Sequence, residues 1–234
     1  MARGPKRENY LTPLLSMIYE AFNRQILDFI PHGARRALDI GCGTGILGKA
    51  IKERLTCEVW GITNSPEEAK AAKGSLDHVI FQDLNYFSMP KTDKFDLIIC
   101  SHVLEHLISP EKFLINIQSH LEPHAVLIAA LPNTMHWRQR LMFLKGSFRY
   151  ENGGLLDKTH LHFYDWRSSR ELFAENGYNI EKYKACGYMP LPGFRKILPE
   201  GLCFYLDSLA ADVLPNFFGK QFIFALRLKT SISF

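Results

Sequence analysis

The chain has 234 residues, 47% of them hydrophobic, which is enough for a core and excludes wholesale disorder. With 28 Lys+Arg against 24 Asp+Glu the net charge is +4, so any functional basic patch must be local rather than a property of the whole molecule. The cysteine count is odd (Cys42, Cys57, Cys100, Cys186, Cys203) and contains no CxxC pair, which reads as buried reduced thiols and argues against disulfides or a zinc site.

Taken in order, "MARGPKRENY" is basic, but no secretory apolar stretch follows it. No apolar run approaches the roughly 20 residues of a membrane span. The expectation is a cytoplasmic protein. Residues 10–30 carry apolar residues at helical spacing before "PHG" breaks the pattern, which makes 1–34 an N-terminal helical segment. Short apolar strands then alternate with helices. The strands are expected at 36–40, 57–62, 78–82, 95–100 and 125–131, and the helices near 46–55, 66–74 and 110–121. Ser65 and Pro66 open one helix well, as a cap followed by proline in the first turn, and Ser109-Pro110 repeats that start. After a polar stretch (132–165) come a helix near 166–176, a strand near 179–185, a helix near 202–214 and a last strand at 221–229. Strands apolar on both faces and alternating with helices imply a parallel sheet covered on both sides. The fold class is therefore α/β: a doubly wound, Rossmann-like, mostly parallel seven-stranded sheet in one domain, with an antiparallel last strand. Two inserts, 132–165 and 187–220, are expected to cap the substrate. Leu202, Leu206, Leu209 and Val213 form one helical stripe, read as core packing or a homodimer contact.

The glycines of "ALDIGCGTGILG" (37–48) sit at a strand-to-helix turn, where backbone N–H groups point outward and side chains would obstruct a ligand. Gly43-Thr44-Gly45-Ile46-Leu47-Gly48 matches the dinucleotide pattern, so a nicotinamide-dependent oxidoreductase is one reading, and a tight turn that merely needs glycine is another. Two features point elsewhere. Asp39, inside the strand, suits a cationic ligand end better than a pyrophosphate. The end of the second strand carries Thr63 and Asn64 where an acid would be wanted for ribose hydroxyls.

Asp39-Ile-Gly41-Cys42-Gly43-Thr44-Gly45 resembles the first motif of class I S-adenosyl-L-methionine (AdoMet) methyltransferases. The resemblance continues through "GITNSPEEA", "FQDL", "KFDLIICSHVLEHL" and "LIAALPN", over about residues 35–133. It implies AdoMet as cofactor, held by Asp39, Gly41, Cys42, Gly43 and Gly45. Thr63 and Asn64 would meet the ribose, Asp83 and Leu84 the adenine side, and Ser101 and His102 would border the cofactor. Thr63 departs from the commoner acid and forgoes a bidentate grip, so weaker cofactor binding is expected. Asp96 is read as positioning backbone at the strand edge. The segment 132–178 is similar to bacterial methyltransferases of polysaccharide, cell-envelope or small-metabolite pathways, which implies a small-molecule or glycan-type acceptor. A non-catalytic AdoMet-binding module is the remaining alternative.

Methyl transfer from a sulfonium needs alignment of donor and acceptor, and a hydroxyl acceptor also benefits from a base. "SHVLEHL" (101–107) offers Glu105 and His106, with His102 and His106 on one face if the segment is helical. "DKTHLHFYDW" offers Asp157, His160 and His162, the two histidines facing the same way if extended. His106, Glu105 and His160 are the catalytic candidates, with no metal assigned. These residues also resemble, in order and spacing, the Glu/His metal set of small-RNA 2′-O-methyltransferases, with His102 in place of the first acid. That resemblance implies a metal-assisted RNA methyltransferase as an alternative. The segment 132–150 carries Arg138, Arg140, Lys145 and Arg149 and no acid, interleaved with Trp137, Phe148 and Tyr150. It reads as a cap recognising an anionic or polyhydroxylated acceptor, or as an amphipathic helix with its aromatics in the core. No recognised RNA module accompanies it, so a nucleic-acid partner is not expected.

Overall fold

A computed structural model describes residues 23–191 and 193–229. Of the N-terminal helical segment, residues 1–22 lie outside the described residues. The part that follows is a 3-10 turn, Arg24–Phe29, which buries Ile26, Leu27 and Phe29. It goes no further because Pro31 forces Ile30 into an extended conformation.

One sheet holds seven strands: β1 (Arg36–Ile40), β2 (Glu58–Thr63), β3 (His78–Phe81), β4 (Phe95–Ser101), β5 (Leu121–Pro132), β6 (Tyr178–Gly187) and β7 (Gly219–Leu228). Their order is β3-β2-β1-β4-β5-β7-β6. The first five pair in parallel, and β7 runs antiparallel to both β5 and β6, as the sequence implied. Around the sheet lie α1 (Ile46–Lys52), α2 (Pro66–Ala72), α3 (Pro110–Ile117), α4 (Trp137–Leu144), α5 (Trp166–Glu175), α6 (Glu200–Val213) and α7 (Pro215–Phe218). Among the described residues, no helix is long and apolar enough to cross a membrane.

The apolar runs become central strands because both of their faces are covered. In β4, Ile98 and Cys100 enter one core with Leu38, Leu127 and Phe224, while Leu97 and Ile99 enter the other with Ala37, Val59 and Ile128. All five cysteines are free and buried in such surroundings. Asp96 accepts from the amides of Arg35 (2.8 Å) and Arg36 (3.1 Å), fixing the start of β1 beside β4. Ser65 caps α2 by accepting from the Glu68 amide at 3.3 Å. Ser109 stands at the same position before α3 but makes no capping bond, so the second start is only a formal repeat of the first.

The inserts depart from the sequence reading in two ways. The basic segment forms α4, a helix with no buried residue, and beyond it Phe148 and Tyr150 are exposed, so these aromatics are not core side chains. In α6 only Cys203 and Ala211 are buried; Leu202, Leu209 and Val213 are exposed and Leu206 half-buried, which overturns the core reading of that stripe. The reason is that α6 packs its small residues, not its large ones, toward the body.

Both inserts meet at Asn133, which is fully buried. Its amide nitrogen donates to the carbonyls of Gly219 (2.6 Å) and Asn216 (3.1 Å), and its oxygen accepts from the Met135 amide (2.9 Å). Replacing Asn133 with Ala strands these backbone groups and is expected to cost about 3 kcal/mol, read as a lower urea midpoint at constant m-value.

Candidate functional site

β1 and β4 are neighbours, but the chain leaves β1 toward β2 on one side and β4 toward β5 on the other. Such a reversal opens a crevice at the carboxyl ends of the strands. The glycine turn after β1 and the Ser101–His106 turn after β4 face each other across it.

Gly41 and Gly43 have φ of +73° and +53°, a region that disfavours any Cβ. Their surroundings differ. A Cβ on Gly41 would lie 2.6 Å from Val103 Cγ2, whereas one on Gly43 would meet nothing within 4 Å. Gly41 is thus bare for packing, and Gly43 borders open space. The amides of Gly41 and Cys42 donate to the Ile62 carbonyl (2.8 and 2.9 Å) and the Gly45 amide to the Cys42 carbonyl (2.9 Å), so these N–H groups serve the turn itself. Cys42 does not present its side chain to the crevice. Its sulfur packs beside Gly61, and burial pushes the thiol up to about 12.

Asp39 is buried, with Oδ2 unpartnered, and burial pushes its carboxyl up to about 7. The end of β2 holds a substitution that the sequence hid. Thr63 is buried and its hydroxyl donates to Glu68 Oε2 at 2.6 Å, so it is not free for a ribose. Glu68, in the first turn of α2, therefore brings a carboxylate to the place where the strand lacks one. Asn64 is exposed. Asp83 is exposed and caps its own turn, accepting from Asn85 N (2.9 Å) and Nδ2 (3.0 Å) through Oδ1. Leu84 packs its half-buried side chain against the core, and Ser101 ends β4 half-buried.

Beyond β4 the Leu104–His106 turn is 3-10, not α, so His102 and His106 do not share a helix face. The rings go to different partners. His102, at φ +56°, places Nδ1 3.2 Å from Glu105 Oε1 and Nε2 2.8 Å from Gln221 Oε1. An acceptor at each nitrogen favours the charged ring. Burial opposes that charge, but the Glu105 carboxylate and the Gln221 oxygen outweigh it and hold the pKa above the ordinary value. His106 directs Nδ1 to the Thr159 carbonyl at 3.1 Å, which fixes the proton on Nδ1 and leaves Nε2 bare.

The second histidine segment is bolted to this turn. The Glu105 carbonyl accepts from the Leu161 amide (2.8 Å) and the His162 amide (3.1 Å). His160 is thereby set against His106, ring centroids 4.8 Å apart, and burial lowers its pKa. His162 does not face the same way; its ring stacks on Tyr164, because the segment is irregular rather than extended. Glu105 is fully buried, with Oε2 unpartnered, as is His160 Nδ1. Glu105, His106 and His160 each offer an atom able to ligate an ion, and these atoms lie within 4.8 Å of one another.

The cluster lines a cleft of about 770 Å³ together with His102, Asp157, Tyr188 and Lys220. Asp39, Gly43 and Thr63 are not part of that lining, whereas His102, expected to border the cofactor, is. The sequence reading missed Asn23, Arg24, Gln25, Tyr188, Lys220 and Gln221. Gln221 joins two of these: it exchanges hydrogen bonds with Asn23 (2.8 and 3.2 Å), donates to Gln25 (3.2 Å), and accepts from His102. No local pattern marks them, since they meet only through the sheet order.

An open turn after β1, an acid inside that strand and a cleft beyond β4 define the class I α/β methyltransferases, whose methyl donor is AdoMet. A family model described as a methyltransferase domain matches residues 16–183, and the chain belongs to that family. Over 130 residues it is 32% identical to a mitochondrial ubiquinone biosynthesis O-methyltransferase of Schizosaccharomyces pombe, covering 48% of this chain and 46% of that one. Over 87 residues it is 36% identical to an ajmaline N-methyltransferase of Rauvolfia serpentina, covering 34% and 30%. The chain thus spans about half or less of these relatives. Its fold is that of a SAM-dependent methyltransferase from Archaeoglobus fulgidus, with a TM-score of 0.62, 18% identity and 94% and 100% coverage. Membership of this family displaces the oxidoreductase reading.

The raised carboxyl of Asp39 has a measurable consequence. Between the ordinary carboxyl value of 3.8 and about 7 the folded chain holds a proton that the unfolded chain releases. The stability contributed by this group is full below that window and lost as pH rises through about 7. Carboxyl-carbon NMR of the free protein should show Asp39 titrating near 7, and Asp39→Asn should flatten the stability profile across the window.

Proposed function

We propose that the protein transfers the methyl group of AdoMet to a hydroxyl of a small-molecule acceptor, with His106 as the base. The observation that carries this reading is the His106 ring, whose Nδ1 is tied to Thr159 so that bare Nε2 is available at the cleft. The acceptor oxygen attacks the methyl carbon, the C–S bond breaks to leave S-adenosylhomocysteine, and the hydroxyl proton passes to His106 Nε2. Glu105 and His160 orient the ring and shape its surroundings. The names of the ubiquinone O-methyltransferases support oxygen as the acceptor atom. A sugar-containing acceptor is compatible with the polar lining of the cleft.

On the donor side, Gly43 gives the nucleoside access to bare backbone, Asp39 receives the cationic amino acid end, and Glu68 takes the ribose role through the position that Thr63 holds for it. Cys42 contributes only its main chain. Glu68→Ala is expected to weaken AdoMet affinity about tenfold, the loss of roughly one charge-assisted hydrogen bond, and to lower the unfolding temperature because the buried Thr63 hydroxyl loses its acceptor. Calorimetric titration with AdoMet and a thermal melt of the free variant check this; unchanged affinity would return the role to Thr63 and Asn64.

One observation favours a second reading, a metal-assisted site. Two imidazoles and a carboxylate within 4.8 Å, with Glu105 Oε2 and His160 Nδ1 unpartnered, suit a divalent first-row ion. Bound there, such an ion would lower the pKa of an acceptor hydroxyl. A tritiated-methyl assay on a panel of phenols, catechols and sugars, run with chelator and with added Mn²⁺ or Zn²⁺, separates the two. In the base reading activity survives chelation, and His106→Ala loses about 10²–10⁴-fold in turnover at unchanged AdoMet affinity. In the metal reading chelation abolishes activity, and Glu105→Gln lowers Mn²⁺ affinity measured without acceptor. Tight AdoMet binding with no transfer to any acceptor would leave a binding module.

A further inference from the structure

Among the described residues twenty large hydrophobic side chains are exposed, and fifteen of them lie in the two inserts that frame the cleft. A random scatter needs no explanation; a concentration of this kind on one part of a molecule does. The stretch 137–150 is the sharper of the two regions. Helix α4 buries none of its own residues, and its contacts with the rest of the fold run through Trp137 and Arg138 to Tyr188 and through Arg140 to Phe217. It exposes Leu141 (48%), Met142 (43%) and Leu144 (83%), followed by Phe148 (53%) and Tyr150 (52%). Arg138, Lys145 and Arg149 are exposed in the same stretch, and it contains no acid. Lys145 and Arg149 enter no ion pair among the described residues.

We propose that this face docks on the surface of a bilayer containing anionic lipid, with the apolar side chains entering the headgroup boundary and the three cations meeting lipid phosphates. Charge selects the occupant. A second copy docking through the same patch would set Arg138, Lys145 and Arg149 against themselves, since a two-fold contact uses one surface twice. An anionic membrane neutralises them and accepts apolar side chains without requiring a matched shape. The α6 face is different. It is also apolar, but Glu200, Asp207 and Asp212 lie on it, and Asp207 pairs with Arg195 at 2.6 Å, so it has no comparable attraction to anionic lipid.

The patch is continuous with the cleft wall. Phe143 stacks on Phe148 at 5.5 Å, Phe148 meets Phe163 at 6.3 Å, and Phe163 meets His160 at 6.3 Å. Docking through this stretch brings the wall of the cleft close to the lipid surface. The consequence rests on the acceptor reading above: it favours acceptors with a polar hydroxylated end and an apolar remainder held at the membrane.

The test is flotation of the full chain with vesicles of phosphatidylcholine alone and with 30% phosphatidylglycerol, at low and high salt. Binding is expected only with the anionic lipid and should weaken as salt rises. The Lys145→Glu/Arg149→Glu double variant and, separately, Leu144→Asp should each lose tenfold or more in partitioning. AdoMet affinity, read by calorimetry, should be unchanged in both, showing that they remain folded whatever the acceptor proves to be. Equal binding to neutral vesicles, no binding to either, or unchanged binding of the charge-reversed variant would overturn the proposal. So would a concentration-dependent dimer in ultracentrifugation that Leu144→Asp dissociates, which would assign the face to a second copy.

Discussion

The site depends on one main-chain oxygen. The Glu105 carbonyl accepts from two successive amides, Leu161 and His162, more than fifty residues further along the chain. The Glu105 end of that pair is buried, so breaking it would strand the carbonyl. It therefore fixes where the 132–165 insert crosses the end of β4. Together with the Thr159 carbonyl that holds His106, it sets His160 beside His106. The turn that carries Glu105 is itself set by β4, whose side chains are locked into both cores. Rigid sheet, short turn and borrowed loop form a chain of constraint, and the catalytic candidates are its last link.

The donor side obeys a different economy. There the important features are absences: no Cβ at Gly43, no hydrogen-bond partner on Asp39 Oδ2, no acid at position 63. The first two are hallmarks of a place prepared for something from outside the chain. The third is made good by a short hydrogen bond, Thr63 to Glu68, that moves the carboxylate from the strand to the first turn of the next helix. Glu68 also suits that turn, since an acid near a helix N-terminus is favoured by the aligned peptide dipoles. Capping chemistry and ligand chemistry thus ask for the same residue.

The sheet was legible because it is written in local patterns. Apolar runs such as "FDLIIC" can only be strands covered on both faces, and the glycine turn announces its own backbone strain. Asp96 was readable as a strand-edge anchor for the same reason. The site was half legible. Glu105, His106 and His160 could be named from their types and from resemblance, but the orientation of each ring could not. His102 and His106 look equivalent at a spacing of four until the turn proves to be 3-10; His160 and His162 look equivalent at a spacing of two until the loop proves irregular. Gln221, Asn23 and Lys220 were illegible altogether. They enter the site because β7 inserts antiparallel beside β5 and because the N-terminal turn crosses its end, both consequences of global topology. The exposed stripe of α6 misled for a simpler reason: helical periodicity tells which residues share a face, not whether that face has anything to cover it.

The tautomers and charges of the cleft follow from this wiring. His102 is clamped between a carboxylate and an amide oxygen, and the positive φ it tolerates is compensated by those two bonds. That ring holds one oxygen of Glu105, and the other has no donor. His106, held at Nδ1 by a backbone carbonyl, has one nitrogen left to offer. Each group is thus pinned on one side and open on the other, and the open sides converge. Asn133, by contrast, closes its valences internally. The proposed reading therefore rests on the cluster as a whole rather than on any single histidine.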